Sequence, residues 1–137
     1  MADTLVPILP HQEMGTFYIQ VAVAGASHED YLVDTGAGFM TITDETLHRS
    51  KLAGTATYVR ELDGQLADGT VLQVSVYRLD EIVVGERCRL RDVEAAVLPG
   101  ASRGLLGLSA LRKAAPFEFS TTPPSLRLSN CDVGPIN

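Results

Sequence analysis

Tryptophan is absent from the 137 residues, and aromatic residues make up only 6% of them. A core built from this chain must therefore be aliphatic, drawn from Val, Leu, Ile and Ala. Basic residues are also scarce: 11 Lys and Arg against 17 Asp and Glu leave a formal charge of −6. Nucleic acid is a poor partner for such a chain, because phosphate binding needs a basic stripe. Arg87, Arg89 and Arg91 form the one local basic cluster, and their alternation suits a solvated strand face. No apolar run approaches the roughly 20 residues that span a bilayer, so no membrane segment is expected. Nor does the N-terminus read as a signal peptide. A complete chain would be expected in the cytoplasm; a soluble piece of an anchored or exported protein remains the alternative. There are only two cysteines, Cys88 and Cys131, far apart in sequence and in no metal-ligand spacing, and they read as free thiols. The three histidines, His11, His28 and His48, are scattered. Neither a metal nor another cofactor is expected.

What remains is the composition of one globular domain: 45% hydrophobic and 20% charged residues, in a length too short for two ordinary domains. Residues 1–14 carry Pro7 and Pro10 with little periodicity and read as an N-terminal arm, followed by a domain over 15–129 and a C-terminal tail over 130–137. "TFYIQVAVAG" alternates and is rich in β-formers, Gly25-Ala26-Ser27 reads as a turn, and "HEDYLVD" as the returning strand. "FMTIT" is a further short strand. "TDETLHRSKLAG" reads as a helix: Thr43 caps it, Asp44 and Glu45 suit its first turn, Arg49 and Lys51 its last, and Gly54 stops it. "TATYVREL" and "TVLQVSVYRLDEIVV" read as two strands of a long hairpin whose connection, "DGQLADG", carries Gly64 and Gly69. "CRLRDVEAAVLP", "GLL", "FEFS" and "SLRLS" are further strands, and "LSALRKAA" is a second short helix closed by Pro116. The fold class is mainly β, with one or two short helices and many turns.

The stretch "LVDTGAG" at 32–38 carries the chemistry. By itself Asp34-Thr35-Gly36 is common turn text. Here it ends an apolar strand and continues into small residues, Ala37 and Gly38. Well downstream, Leu105-Leu106-Gly107 precedes the second helix. The pair "VDTGA" and "GLLGLSAL", with "DGQLADGTVLQVSVYRLDEIVVG" between them, resembles the single-domain retropepsin-like aspartic proteases over about residues 15–129. That resemblance implies a closed, barrel-like acid-protease fold with a flap hairpin. It also implies endopeptidase activity on an extended peptide or protein substrate.

On this reading Asp34 is the catalytic carboxylate. Two neighbouring carboxylates share one proton, one acting as general base on a water while the other polarises the substrate carbonyl. Thr35 and Gly36 support the loop: the family uses the threonine hydroxyl to tie two such loops together, and glycine allows close backbone approach. Ala37, Gly38, Leu66, Ala67, Asp68 and Gly69 are the expected substrate-binding positions, with the last four on the flap. Leu105, Leu106 and Gly107 form a structural second motif. Only one Asp-Thr-Gly is present, so the carboxylate pair requires two chains and a homodimer is expected. Gly38 departs from the family, many of whose members place a polar side chain there to hold the substrate main chain. That departure keeps open a second reading, a silent or slow dimeric peptide-binding module. A third reading is a generic β-domain in which Asp34 marks only a turn. Tyr58, Tyr77 and Met40 are expected to be packing residues.

Overall fold

The computed structural model describes residues 2–7, 9–11, 16–65 and 68–132, with side chains from 16 onward. Among these residues eleven strands carry the fold. They are β1 (Ala2–Pro7), β2 (Leu9–His11), β3 (Thr16–Val23), β4 (His28–Val33), β5 (Met40–Ile42), β6 (Ala56–Gln65), β7 (Val71–Val84), β8 (Cys88–Val97), β9 (Gly104–Leu106), β10 (Phe117–Thr121) and β11 (Pro124–Cys131). Helix α1 (Asp44–Leu52) follows β5, and α2 (Leu108–Leu111) follows β9 and runs into a 3-10 turn over Arg112–Ala114. The sequence-based elements appear in the expected order.

The larger sheet runs β2-β3-β4-β9-β5-β8-β7-β6, and an extra pairing of β3 with β7 closes it. The ring β3-β4-β9-β5-β8-β7 is thus a six-stranded barrel. Alternation explains its filling: Ile19, Val21 and Val23 of β3 all point inward and are buried, as are Met40 and Ile42 of β5 and Val93, Ala95 and Val97 of β8. The aliphatic core expected from the missing tryptophan is what fills the barrel. Among the described residues Tyr31 is the one fully buried aromatic, 1% exposed, and its phenol is pushed well up by burial. Room for that ring comes from Gly104, its partner in the parallel β4–β9 ladder. A Cβ on Gly104 would lie 2.6 Å from Thr41 O and 2.7 Å from Tyr31 Cδ2.

Helix α1 starts and stops where its sequence dictates. The Thr43 hydroxyl accepts from the Thr46 N–H at 3.2 Å, and Asp44 and Glu45 occupy the first turn. At the other end Gly54 adopts φ +75°, letting the Thr55 N–H reach Ser50 O at 2.9 Å.

Three expectations are corrected. The cysteines are not free thiols: Cys88 and Cys131 form a disulfide with Cα atoms 4.8 Å apart. Separation in sequence concealed this. β11 returns to the start of β8, where Asp132 and Arg89 exchange backbone hydrogen bonds of 3.1 and 3.2 Å. Disulfides persist in oxidising compartments and are rare in the cytosol, so the pairing does not favour the cytoplasmic expectation. The N-terminal arm is not separate from the sheets: β1 pairs antiparallel with β11, and β2 with the start of β3. Together β1, β11 and β10 make a second, three-stranded sheet. Finally, Tyr58 is not a packed core residue. It is 53% exposed, and its ring meets Tyr77 edge to face at 5.5 Å. Met40, by contrast, is fully buried.

The basic cluster is also more engaged than alternation suggested. Arg87 lies in the turn before β8, while Arg89 pairs with Glu81 at 3.6 Å and Arg91 with Asp132 at 3.5 Å. Among the described residues, no helix is long and apolar enough to cross a membrane.

Gly104→Ala is expected to destabilise the chain by about 1–3 kcal/mol through overpacking against Tyr31. Urea unfolding would show this as a lowered midpoint; an unchanged midpoint would mean that the ring does not depend on that space.

Candidate active site

Asp34 is the first residue after β4, and its position is fixed by what lies beside it. β9 runs parallel to β4, with Leu32 opposite Leu105 and Val33 opposite Leu106. On its other side β9 meets β5 through Thr41 and Leu105. The chain leaving β4 must therefore arch over the end of β9 to reach β5. Residues 34–39 form that arch, "DTGAGF".

Two long-range backbone bonds pin it down. The Asp34 N–H donates to Leu106 O at 3.1 Å, and the Leu108 N–H donates to Ala37 O at 2.8 Å. Between these bonds sits Gly107, where a Cβ would collide with the Phe39 carbonyl and come within 2.8 Å of Ala37 O. Any side chain here would push the two loops apart. Leu106, just before it, is fully buried, whereas Leu105 is half-buried. The Leu106 carbonyl and Gly107 thus lie directly against the Asp34 loop.

Within the loop, the half-buried Asp34 carboxylate accepts the Gly36 N–H through Oδ1 at 3.0 Å. The Asp34 carbonyl accepts the Ala37 N–H at 3.2 Å. One carboxylate oxygen is thus held by the loop's own backbone. Thr35 is exposed, and among the described residues its hydroxyl has no partner within the chain. Gly38 is exposed as well, and a Cβ placed there would meet nothing within 4 Å. Glycine is not sterically required at this position, in contrast to Gly107.

The arch continues into a polar support that sequence reasoning missed. The Met40 N–H donates to Ser109 Oγ at 2.7 Å, and Ser109 Oγ donates to Glu94 O at 2.6 Å. A serine on α2 thereby joins the end of the loop to β8. The Glu94 side chain is held in turn by Arg60 of β6, through bonds of 3.2 Å (Nη1 to Oε2) and 3.0 Å (Nη2 to Oε1). Hydrogen bonding from Arg60 is the main reason the Glu94 carboxyl lies below its ordinary range. No motif marks either residue; the signal lay in strand register, which a single sequence does not display.

The expected hairpin is present as β6 and β7, with Gly64 opposite Leu72 and Gln65 opposite Val71. Near its tip Gly69 takes φ +89°, and Asp68 Oδ1 accepts the Thr70 N–H at 2.8 Å. Hydrogen bonds from the Thr70 side chain and backbone hold the Asp68 carboxyl low. Leu66 and Ala67 lie outside the described residues. A separate hollow of about 790 Å³ opens beside Tyr18, Glu29, Asp30, Asp44 and Arg103, and Asp34 does not line it.

A closed six-stranded barrel, with an Asp-Thr-Gly arch crossing the end of β9, defines the class: a retropepsin-like fold. The comparisons agree. Residues 19–113 match the family model described as "gag-polyprotein putative aspartyl protease". The crystal structure of a retropepsin-like aspartic protease from Rickettsia conorii superposes with a TM-score of 0.65 at 22% identity, over 93% of this chain and 89% of that one. None of the curated proteins compared matches the sequence. The family match spans well over half of the chain, and the chain belongs to the gag-polyprotein aspartyl protease family.

Ser109→Ala would leave the part-buried Met40 N–H without its acceptor, a loss of about 1–3 kcal/mol. Urea unfolding, with amide exchange read at Met40, checks this. Wild-type stability and wild-type exchange would show that the serine does not anchor the arch.

Proposed function

We propose that the chain is an aspartic endopeptidase that works as a symmetric homodimer, with one Asp34 from each protomer. The observation that carries this reading is the Asp34 arch. Its base is locked by Leu106 and Gly107, one carboxylate oxygen is held by the Gly36 N–H, and Thr35 faces outward. A loop so placed presents a rigid carboxylate and an unengaged hydroxyl to a second copy of itself. Family membership supports the same reaction class.

The chemistry follows from bringing two like carboxylates together. They cannot both ionise cheaply, so the pair holds one proton. A water between them gives its proton to the ionised carboxylate as its oxygen bonds to the peptide carbonyl carbon. The protonated carboxyl donates to the carbonyl oxygen, forming a neutral tetrahedral intermediate. The carboxyl that took the water's proton then passes it to the amide nitrogen, the other carboxylate takes a proton from one hydroxyl of the intermediate, the C–N bond breaks to an acid and an amine, and the pair again holds one proton. No covalent enzyme intermediate is needed. Because one proton must stay on the pair, activity is expected to be best at mildly acidic pH.

In this reading Ala37 and Gly38 line the cleft. The β6–β7 hairpin closes over it and excludes water, with Leu66, Ala67, Asp68 and Gly69 at its tip. Asp68, held low by Thr70, keeps that tip charged in mild acid. The second reading, a silent peptide-binding module on the same scaffold, is favoured by one observation: open space at Gly38 where a side chain would fit.

Asp34→Asn separates the two readings. It is expected to keep the wild-type circular dichroism and solution mass while cleavage of a mixed peptide library at pH 4–7 falls by about a thousandfold or more. Equal cleavage by the variant would contradict the assignment, and binding without Asp34-dependent cuts in wild type would favour the module.

A further inference from the structure

We propose that Arg60 is a positioning residue, latching the root of the β6–β7 hairpin to the segment that follows Asp34 and so setting how the hairpin closes. The proposal rests on the endopeptidase reading for its kinetic consequence, but the latch itself is a property of the fold.

The latch begins with a β-bulge. Tyr58 pairs with Tyr77, but Arg60 pairs with Val76, so Val59 is an extra residue in β6. Before the bulge, the even-numbered residues of β6 share a face with Tyr77 and Leu79. After it they share one with Val76 and Val74. The burial pattern shows the switch: Thr57, Tyr58 and Val59 are exposed in succession, and then Arg60, Leu62 and Gly64 turn half-buried. Without the bulge, Arg60 would come opposite Ser75, on the other face of the sheet from Val76.

With it, three strands align their side chains. Val76 pairs with Arg60 on one side and Ala96 on the other, and Ala96 also pairs with Thr41 of β5. Glu94, two residues before Ala96, therefore shares this face with Arg60. The guanidinium makes its two bonds to Glu94 and also lies over the Phe39 ring, 5.8 Å from the centroid. Phe39 is the last residue of the arch, and its carbonyl packs against Gly107. Glu94 binds on the arch side too, since its carbonyl receives the Ser109 hydroxyl that holds Met40. The hairpin root, the arch and α2 thus converge on Glu94.

Among the described residues, no other side chain of β6 hydrogen-bonds outside the hairpin. A planar guanidinium suits the task because it can pair in a fork and stack at once; a lysine cannot do both. Of the other charged groups near Glu94, Lys113 and Arg78 also favour its ionised form.

The test uses Arg60→Met, Arg60→Lys, Glu94→Gln and the exchanged pair Arg60→Glu with Glu94→Arg, all in the full chain. Amide hydrogen exchange is read first, because it does not require activity. In Arg60→Met, amides of 56–65 and 71–76 are expected to exchange about two- to fivefold faster, with β3 and β4 unchanged. Glu94→Gln should do the same, and the exchanged pair should restore much of the protection. Unchanged hairpin exchange in Arg60→Met overturns the proposal, whatever the enzymology. Kinetics on a peptide cut in an Asp34-dependent manner come second. KM should rise by about two- to fivefold with kcat nearly unchanged, and Arg60→Lys should recover only part of the loss. Faster exchange with unaltered KM would overturn the link to closure, whereas absence of any Asp34-dependent cut would count against the endopeptidase reading and leave the exchange result standing.

Discussion

Two backbone hydrogen bonds, Asp34 N–H to Leu106 O and Leu108 N–H to Ala37 O, hold the turn after β4 to the turn after β9. Both exist only because β9 is inserted between β4 and β5, so that the chain must cross over its end. That crossing brings backbone against backbone, and Gly107 is the residue that permits it. From this constraint come the fixed place of Asp34, the outward-facing Thr35, and the entry of Met40 into the core. The second glycine of the motif, Gly104 at the start of β9, makes room for Tyr31.

The long strand β7 links this centre to the hairpin. Its last residues pair with β3 and close the barrel, while its first pair with β6 and leave it. One strand therefore belongs both to the rigid ring and to the projecting arm. A hairpin built this way inherits its orientation from the barrel, and the bulge at Val59 with the Arg60–Glu94 pair adds a side-chain tie where the two parts separate. Exposed ion pairs contribute little to global stability. Such a tie is therefore better suited to orienting an arm than to holding the fold.

Much of this was legible in the chain itself, because it is written in local signals. The cap at Thr43, the stop at Gly54, the alternation of β3, and the paired texts "VDTGA" and "GLLGLSAL" each place an element without knowledge of the rest. What was not legible depends on register and return paths. The Cys88–Cys131 bond requires β11 to come back to β8. The pairing of residues 2–7 requires β11 as a partner, and no periodicity in the arm announces it. The Met40–Ser109–Glu94–Arg60 support depends on a one-residue bulge, which changes the facing of Arg60 without leaving a motif. Tyr58 read as packing because tyrosine usually is, yet it lies before that bulge and faces solvent.

In the proposed reaction each chain supplies one carboxylate, so that a site needs two chains. This requirement is tested most directly by mixing wild-type and Asp34→Asn chains in varying ratio at constant total concentration, letting subunits exchange, and measuring cleavage of one susceptible peptide. If the site needs an Asp34 from each protomer, activity falls as the square of the wild-type fraction. A fall that is simply proportional to the wild-type fraction would mean that a single chain suffices, and the account would be contradicted.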